Sequence, residues 1–221
     1  VTVGAMKRSR LMSFLEWLER RMYAAADHIV TVGNGYRDQL LAREVKEEDI
    51  SVIPNGVDVN RFQPRPPNAE LRHKWNGAGK FVCAYVGTVG MAHGLDVVLK
   101  AATTLQGAGR NDVQFWIVGD GAERANLEQQ ARERNLDSIT FTGMIAKNQI
   151  DDVIASCDAC LVHLRGTELF GTVIPSKVFE TMALNIPIIM GVTLVSACAI
   201  VVGNLLADVV APFIDPRIKL R

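Results

Sequence analysis

Three apolar runs in this chain each close on a glycine: FVCAYVG (81–87), VQFWIVG (113–119) and ITFTG (139–143). They are too short for helices, and the first is continuously apolar, as in a strand buried on both faces. Segments of helical period separate them, at Leu95 to Leu105, Ala122 to Arg134 and Ala146 to Ser156. ACLVHL (159–164) supplies a further strand, and GTVIPSKVFETMALNIPIIMG (171–191) a helix and one more. Strands that alternate with helices across short loops predict an α/β fold with a doubly wound parallel sheet. Right-handed crossovers then put helices on both faces. Sheets of this kind collect ligands at the carboxyl ends of their strands. The loops after Gly87, Gly119, Gly143 and Leu164, and the turn before Pro175, should therefore converge on one rim.

Upstream, HIVTVG (28–33) predicts a strand, NGYRDQLLAR (34–43) a helix capped by Asn34, and ISVIPNGVD (50–58) a strand ending in the turn Pro54-Asn55-Gly56. Residues 59–76, with Pro64, Pro66 and Pro67, read as a linker with a short helix, and a new unit begins near Lys80. Leu11 to Ala26 is amphipathic, with Leu11, Phe14, Leu15, Leu18 and Met22 at helical spacing. This predicts a surface helix whose charged face (Arg10, Glu16, Glu19, Arg20, Arg21) is solvated. Lys7, Arg8 and Arg10 leave room for contact with a membrane surface.

With 48% hydrophobic residues over 221 positions the chain can build a true core. Its 24 Lys and Arg balance 24 Asp and Glu, so no global field draws nucleic acid or an anionic membrane. Any anion must be caught locally. The cysteines at 83, 157, 160 and 198 read mostly as small core residues of a reducing compartment. Cys157 and Cys160 have CxxC spacing, but the chain lacks the second pair that a structural zinc site needs. The start, VTVGAMKRSR, has no signal-peptide pattern and no initial Met, as in a fragment. From Ile186 to Ala207 there is no charged residue, though Pro187, Gly191, Gly203 and Asn204 interrupt the run.

The rim residues carry the chemistry. GTVGMAHG (87–94) lets a backbone approach a ligand at Gly87 and Gly90, and a protonated His93 could donate to a phosphate oxygen. The bland reading is a tight strand-to-helix turn. Gly119 and Gly121 flank Asp120, which would cap the next helix. The exposed backbone of FTGMI (141–145) suits the edge of a base. At the PSK segment, Pro175 fits the first helical position, with Ile174 as a cap residue that has no side-chain acceptor. The amides of Ser176 and Lys177 are then free, an anion site by construction. Val178, Phe179 and Met182 should face the core, and Lys177, Glu180 and Thr181 the rim. Lys177 and Glu180, three residues apart, could form a plain surface ion pair. In the functional alternative, Lys177 takes a diphosphate and Glu180 takes vicinal sugar hydroxyls, together the features of a nucleotide.

The order and spacing of ADHIVTVGNGYRDQLL, ISVIPNGVDVNRFQP, YVGTVGMAHGLDVVLKAA, FWIVGDGAER, ITFTGMI and PSKVFETMALNIPII resemble the retaining GT-B glycosyltransferases of family 4. The GTxGMAHG and TVIPSK forms look most like the bacterial colanic-acid and O-antigen polysaccharide type, including N-acetyl-fucosamine transferases. The resemblance covers about residues 10–191. It implies two Rossmann-like domains: residues 1–58 as the end of the acceptor domain, 59–76 as a linker, 77–191 as the domain for the nucleotide-sugar donor, and 192–221 as an atypical tail. It also implies that Glu180 binds the ribose, that Ser176 and Lys177 bind the diphosphate, and that Met144 and Ile145, after Gly143, contact the base. Where the family often has Arg and Lys after the first donor-domain strand, this chain has Thr88 and His93, and Lys177 would replace the lost charge. The first glutamate of the family's pair is Thr172 here, with Glu168 as a substitute on the same loop. After Gly191 the resemblance ends, and a truncated or frameshifted ending, an extra helix or a membrane segment is expected.

The implied reaction transfers a sugar, of N-acetylhexosamine type and from UDP, to a saccharide or lipid-linked acceptor with retention. Glu180, Lys177 and His93 are its candidate catalytic residues. No metal or cofactor is expected, since the donor nucleotide is a substrate. The setting expected is cytoplasmic, at the inner membrane face. The rival is a non-catalytic nucleotide-binding remnant. A receiver-like domain would need an acidic cluster at the strand ends.

Overall fold

The computed structural model describes residues 10–164 and 174–190. Its main body is a five-stranded, wholly parallel sheet: β3 (Phe81–Val86), β4 (Val113–Val118), β5 (Ile139–Gly143), β6 (Ala159–Val162) and β7 (Ile188–Met190), in the order β5-β4-β3-β6-β7. A separate pair, β1 (Ile29–Thr31) and β2 (Ile50–Val52), is also parallel, with Ile29 opposite Ile50. The helices are α1 (Arg10–Ala25), α2 (Asn34–Leu41), α3 (Ala69–Lys74), α4 (Asp96–Gly107), α5 (Arg124–Glu133), α6 (Ile150–Ala155) and α7 (Ser176–Ala183).

The period of two along β3 divides the interior into two layers. Val82, Ala84 and Val86 join Trp116, Val118 and Cys160, covered by Trp75, Val153, Ile154 and Leu184. Cys83 and Tyr85 join Phe115 and Ile117, covered by Val98, Leu99 and Ala102 of α4 and by Leu127 and Ala131 of α5. Both faces of the sheet are thus dry at its centre, and all of β3 beyond Phe81 is buried, as its continuous apolarity predicts. Polar groups that enter the first layer find partners. Trp116 Nε1 donates to Trp75 O at 2.8 Å, and the fully buried Gln114 lies between Lys80 Nζ and Thr140 Oγ1 at 3.1 Å each. Arg72 fastens α3 to the sheet through Lys80 O (2.6 Å) and Asp158 (3.1 Å).

Several local expectations change. Asn34 is the first residue of α2 rather than its cap; Gly33 holds the cap position, without a side-chain bond. The segment predicted as one helix over 146–156 is a 3-10 turn at Lys147–Gln149 followed by α6. α1 is a surface helix, but its apolar stripe is not packed: Leu11, Phe14, Leu18 and Met22 are exposed. The face that docks is instead polar, with Glu19 bonded to Tyr23 (2.6 Å) and paired with Arg43 near the end of α2. Cys83, Cys157 and Cys160 are buried free thiols. Burial pushes the Cys83 thiol up to about 12, so these residues pack rather than react. No helix among the described residues is long and apolar enough to cross a membrane. The expectations for Lys7, Arg8, Glu168, Thr172, Cys198 and the 192–221 tail lie outside the described residues.

Candidate functional site

Because all five strands run parallel, the loops that follow them leave from one edge. Backbone hydrogen bonds join these loops to each other. Gly87 N donates to Val118 O (2.9 Å), Val89 N to Asp120 O (2.9 Å), Glu123 N to Val89 O (3.0 Å) and Gly119 N to Gly143 O (2.9 Å). Gly119 has φ 134°, and a Cβ added there would collide with Gly87 O; one added at Gly121 would collide with Val89 O. These two glycines therefore serve close contact between the loops. Gly90 differs. A Cβ there would meet nothing closer than 3.7 Å, so its surroundings are open enough for a ligand to approach.

Asp120 does not cap α5. Its Oδ1 accepts from Gly121 N at 2.8 Å and its Oδ2 from Arg124 at 3.3 Å, while Glu123 occupies the cap position. Thr88 is exposed, and its carbonyl accepts from Tyr85 Oη at 2.7 Å, which pins the start of the glycine loop to β3. Met144 is 80% exposed and Ile145 half-buried against the core. Both line a groove of about 540 Å³ that also includes Leu71, Trp75 and Gln149.

His93 ends a 3-10 turn, Met91–His93, with its ring edge-on to Tyr85 at 5.7 Å. Its Nδ1 is buried with no hydrogen-bond partner among the described residues. Burial holds the imidazole below its ordinary value, against an opposing interaction with the Gly90 backbone, and nearby His163 lowers it a little further. The expected protonated donor is therefore disfavoured, and His93 works as a neutral ring near pH 7. A group whose folded pKa lies below its unfolded value takes up its proton later in the folded state, so stability falls as pH drops below about 6.5. Replacing His93 by Gln should flatten that fall. From pH 7.5 to pH 5.5 the urea midpoint of the unsubstituted protein should fall further than that of the variant, and parallel falls would refute this.

The segment with the candidate diphosphate site forms α7, one residue later than expected. Pro175 is itself the cap residue, extended at φ −61° and ψ 140°, with no side-chain cap bond. Val178 N bonds Pro175 O at 3.0 Å, and the amides of Ser176 and Lys177 have no backbone partner among the described residues. The free-amide mouth therefore persists, with Ser176 exposed at its lip. The predicted face assignment is corrected at two positions. Thr181 is fully buried and Met182 is 64% exposed. The buried row is Val178, Thr181 and Leu184, and the Thr181 hydroxyl avoids a desolvation cost by donating to Lys177 O at 2.7 Å.

Lys177 and Glu180 do pair, Nζ to Oε2 at 2.6 Å, with both side chains 19% exposed. The lysine charge at the mouth is thus shared, not free. An ammonium has three donors and a carboxylate two oxygens, so pairing leaves each with capacity for a ligand.

Two contacts escaped the sequence reading. His163 Nδ1 lies 2.5 Å from His93 O, tying the end of β6 to the glycine loop. The signal was its place just past an apolar run, at the predicted rim. Asn55 Nδ2 donates to Ile174 O at 3.1 Å, so the Pro-Asn-Gly turn touches the residue before the α7 cap. Nothing in the local sequence indicates so distant a partner. Among the described residues no group of three His, Cys, Asp or Glu could hold a metal ion.

Comparison with known proteins places the fold. The profile described as "Glycosyl transferases group 1" matches residues 80–212, more than half of the chain, and "Glycosyltransferase Family 4" matches residues 3–61. The GDP-mannose-dependent alpha-mannosyltransferase of Mycobacterium tuberculosis (strain CDC 1551 / Oshkosh) is 28% identical over 77% of this chain and 40% of its own length. The O-antigen chain mannosyltransferase C of Escherichia coli is 27% identical over 75% and 43%. Among solved structures, HepE of Anabaena in complex with UDP and glucose superposes with a TM-score of 0.63 at 22% identity, over 75% of this chain and 44% of that one. The sucrose-phosphate synthase of Thermosynechococcus elongatus gives 0.63 at 22%, over 85% and 47%. These likenesses show the fold, the Rossmann-like unit of GT-B glycosyltransferases. The chain spans less than half the length of each of these four proteins.

Proposed function

The chain belongs to the glycosyl transferases of group 1, and from that premise we propose that the α7 mouth binds the diphosphate of a nucleotide-sugar donor. One observation carries the reading: two helix-start amides without a backbone partner among the described residues lie beside a Lys177–Glu180 pair, at the edge where the glycine loops leave the sheet. Ser176 and Lys177 amides and the Lys177 ammonium take the phosphates, and Glu180 accepts from the ribose hydroxyls. Met144 and Ile145 border the base, and the neutral His93 ring lies near the open Gly90.

The reaction in this reading moves a hexosyl or N-acetylhexosaminyl group to a saccharide or lipid-linked acceptor, with retention. Negative charge grows on the leaving diphosphate as the glycosidic bond breaks, and amides already oriented towards it stabilise that charge beyond the ground state. The donor nucleotide is substrate, and the chemistry assigned to these residues needs no further cofactor. The reading includes a cytoplasmic location, at the inner face of the membrane, and a role in polysaccharide synthesis like that in the names of the bacterial relatives.

The test is calorimetry of the 221-residue chain with UDP and with GDP, followed by an assay of donor consumption. UDP binding at a single site is the expected result, UDP being the ligand of the HepE structures. Binding without turnover would favour the remnant reading, and binding of neither nucleotide would overturn the proposal.

A further inference from the structure

We infer that His163 is a positioning residue for donor binding: its imidazole holds the glycine loop in register with the α7 mouth. The inference rests on the donor-site reading above.

Among the described residues, the backbone bonds that secure the loop from Gly87 to Gly94 to its neighbours lie on the β4 side. Val89 bonds Asp120 and Glu123 on the β4 side. Towards β6, the contact seen among the described residues is the one from His163 Nδ1 to His93 O. A carbonyl only accepts, so Nδ1 must carry the hydrogen in either charge state of the ring. The bond falls at the last residue of the 3-10 turn, just before Gly94, which adopts φ 54° and turns the chain into α4. That placement fixes both His93 and the open backbone at Gly90. His163 itself directly follows β6, the strand whose downstream connection leads to α7. One side chain thus joins the loop expected to receive phosphate oxygens to the strand that leads to the anion-binding helix. β6 is paired on both sides, with β3 and with β7, so the anchor is rigid. The bond has a structural effect that the ring's bulk alone would not have: it sets the height of the loop over the rim.

Two substitutions separate position from volume. Asn carries a donor close to where Nδ1 sits, whereas Leu fills similar space without one. In His163→Leu the amides of residues 89–94 should exchange with solvent faster, and UDP should bind about tenfold more weakly. His163→Asn should restore both, and the thermal midpoints of the two variants should not account for the difference. Unchanged exchange in His163→Leu would overturn the inference, as would faster exchange with UDP affinity intact. If the unsubstituted chain fails to bind UDP, the donor-site reading falls and this inference with it. If it binds UDP and His163→Leu binds equally well, only this inference falls.

Discussion

Replacing Gly119 by Ala should cost roughly 2–5 kcal/mol of stability, enough to unfold much of the population of a domain of ordinary stability. Two costs add. The residue sits at φ 134°, where a side chain is strained, and the new methyl would drive into the carbonyl of Gly87. Gly87 cannot yield easily, because its amide is bonded to Val118 O and a Cβ of its own would meet Tyr85 Oη at 3.2 Å. Gly107, the last residue of α4, is the control. Nothing lies within 4 Å of a Cβ there, so Gly107→Ala should be neutral or stabilising by a few tenths of a kcal/mol. Urea unfolding of both variants decides the matter. Equal midpoints would show that the loops can separate freely, contrary to the contacts described.

Lys177→Ala should weaken UDP binding by roughly 10- to 100-fold, the scale of one lost charged hydrogen bond. The substitution has a second effect. It leaves the Glu180 carboxylate, now paired at 2.6 Å, without its cation next to an incoming diphosphate. Lys177→Arg should recover much of the affinity. Glu180→Ala should act in the opposite sense on different ligands. Loss of a ribose acceptor weakens UDP, while release of Lys177 from its pair strengthens binding of inorganic pyrophosphate. Calorimetry with both ligands reads this crossover. A Glu180→Ala protein that loses affinity for both in parallel would mean that the pair is simply holding α7 together.

The sheet was legible in the sequence because it is wholly parallel and its central strands are dry on both faces. FVCAYV has no solvent side beyond Phe81, so its continuous apolarity has one meaning, VQFWIV departs from that pattern only at the buried Gln114, and the glycines that close both runs mark the strand ends. The α7 mouth was legible for a related reason: Pro175 cannot donate and Ile174 cannot cap, whichever of them holds the cap position. What failed were face assignments that depend on packing partners. Thr181 reads as polar and Met182 as apolar, yet the threonine satisfies its hydroxyl on its own helix and can be buried, while Met182 is left 64% exposed. Asp120 looks like a helix cap, but the turn of Gly121 brings its amide closer than the helix start. The α1 stripe predicts a packed face where the docked surface is the Glu19, Tyr23 and Arg43 cluster. The roles of His163 and Asn55 depend on partners 70 and 119 residues away, a distance that local pattern does not span.

The connector between the two sheets is not slack along its length. Arg61 bonds Lys147 O and pairs with the buried Asp151 at 3.3 Å, and Arg65 reaches Asp151 at 3.1 Å and Asp152 at 2.9 Å, so this stretch travels with α6. A swing of the β1–β2 pair against the larger sheet must therefore take its pivot between Val52 and Asp58. Such a swing would strain the Asn55–Ile174 bond beside the α7 cap, so among the described residues a contact that feels the swing lies next to the proposed anion site.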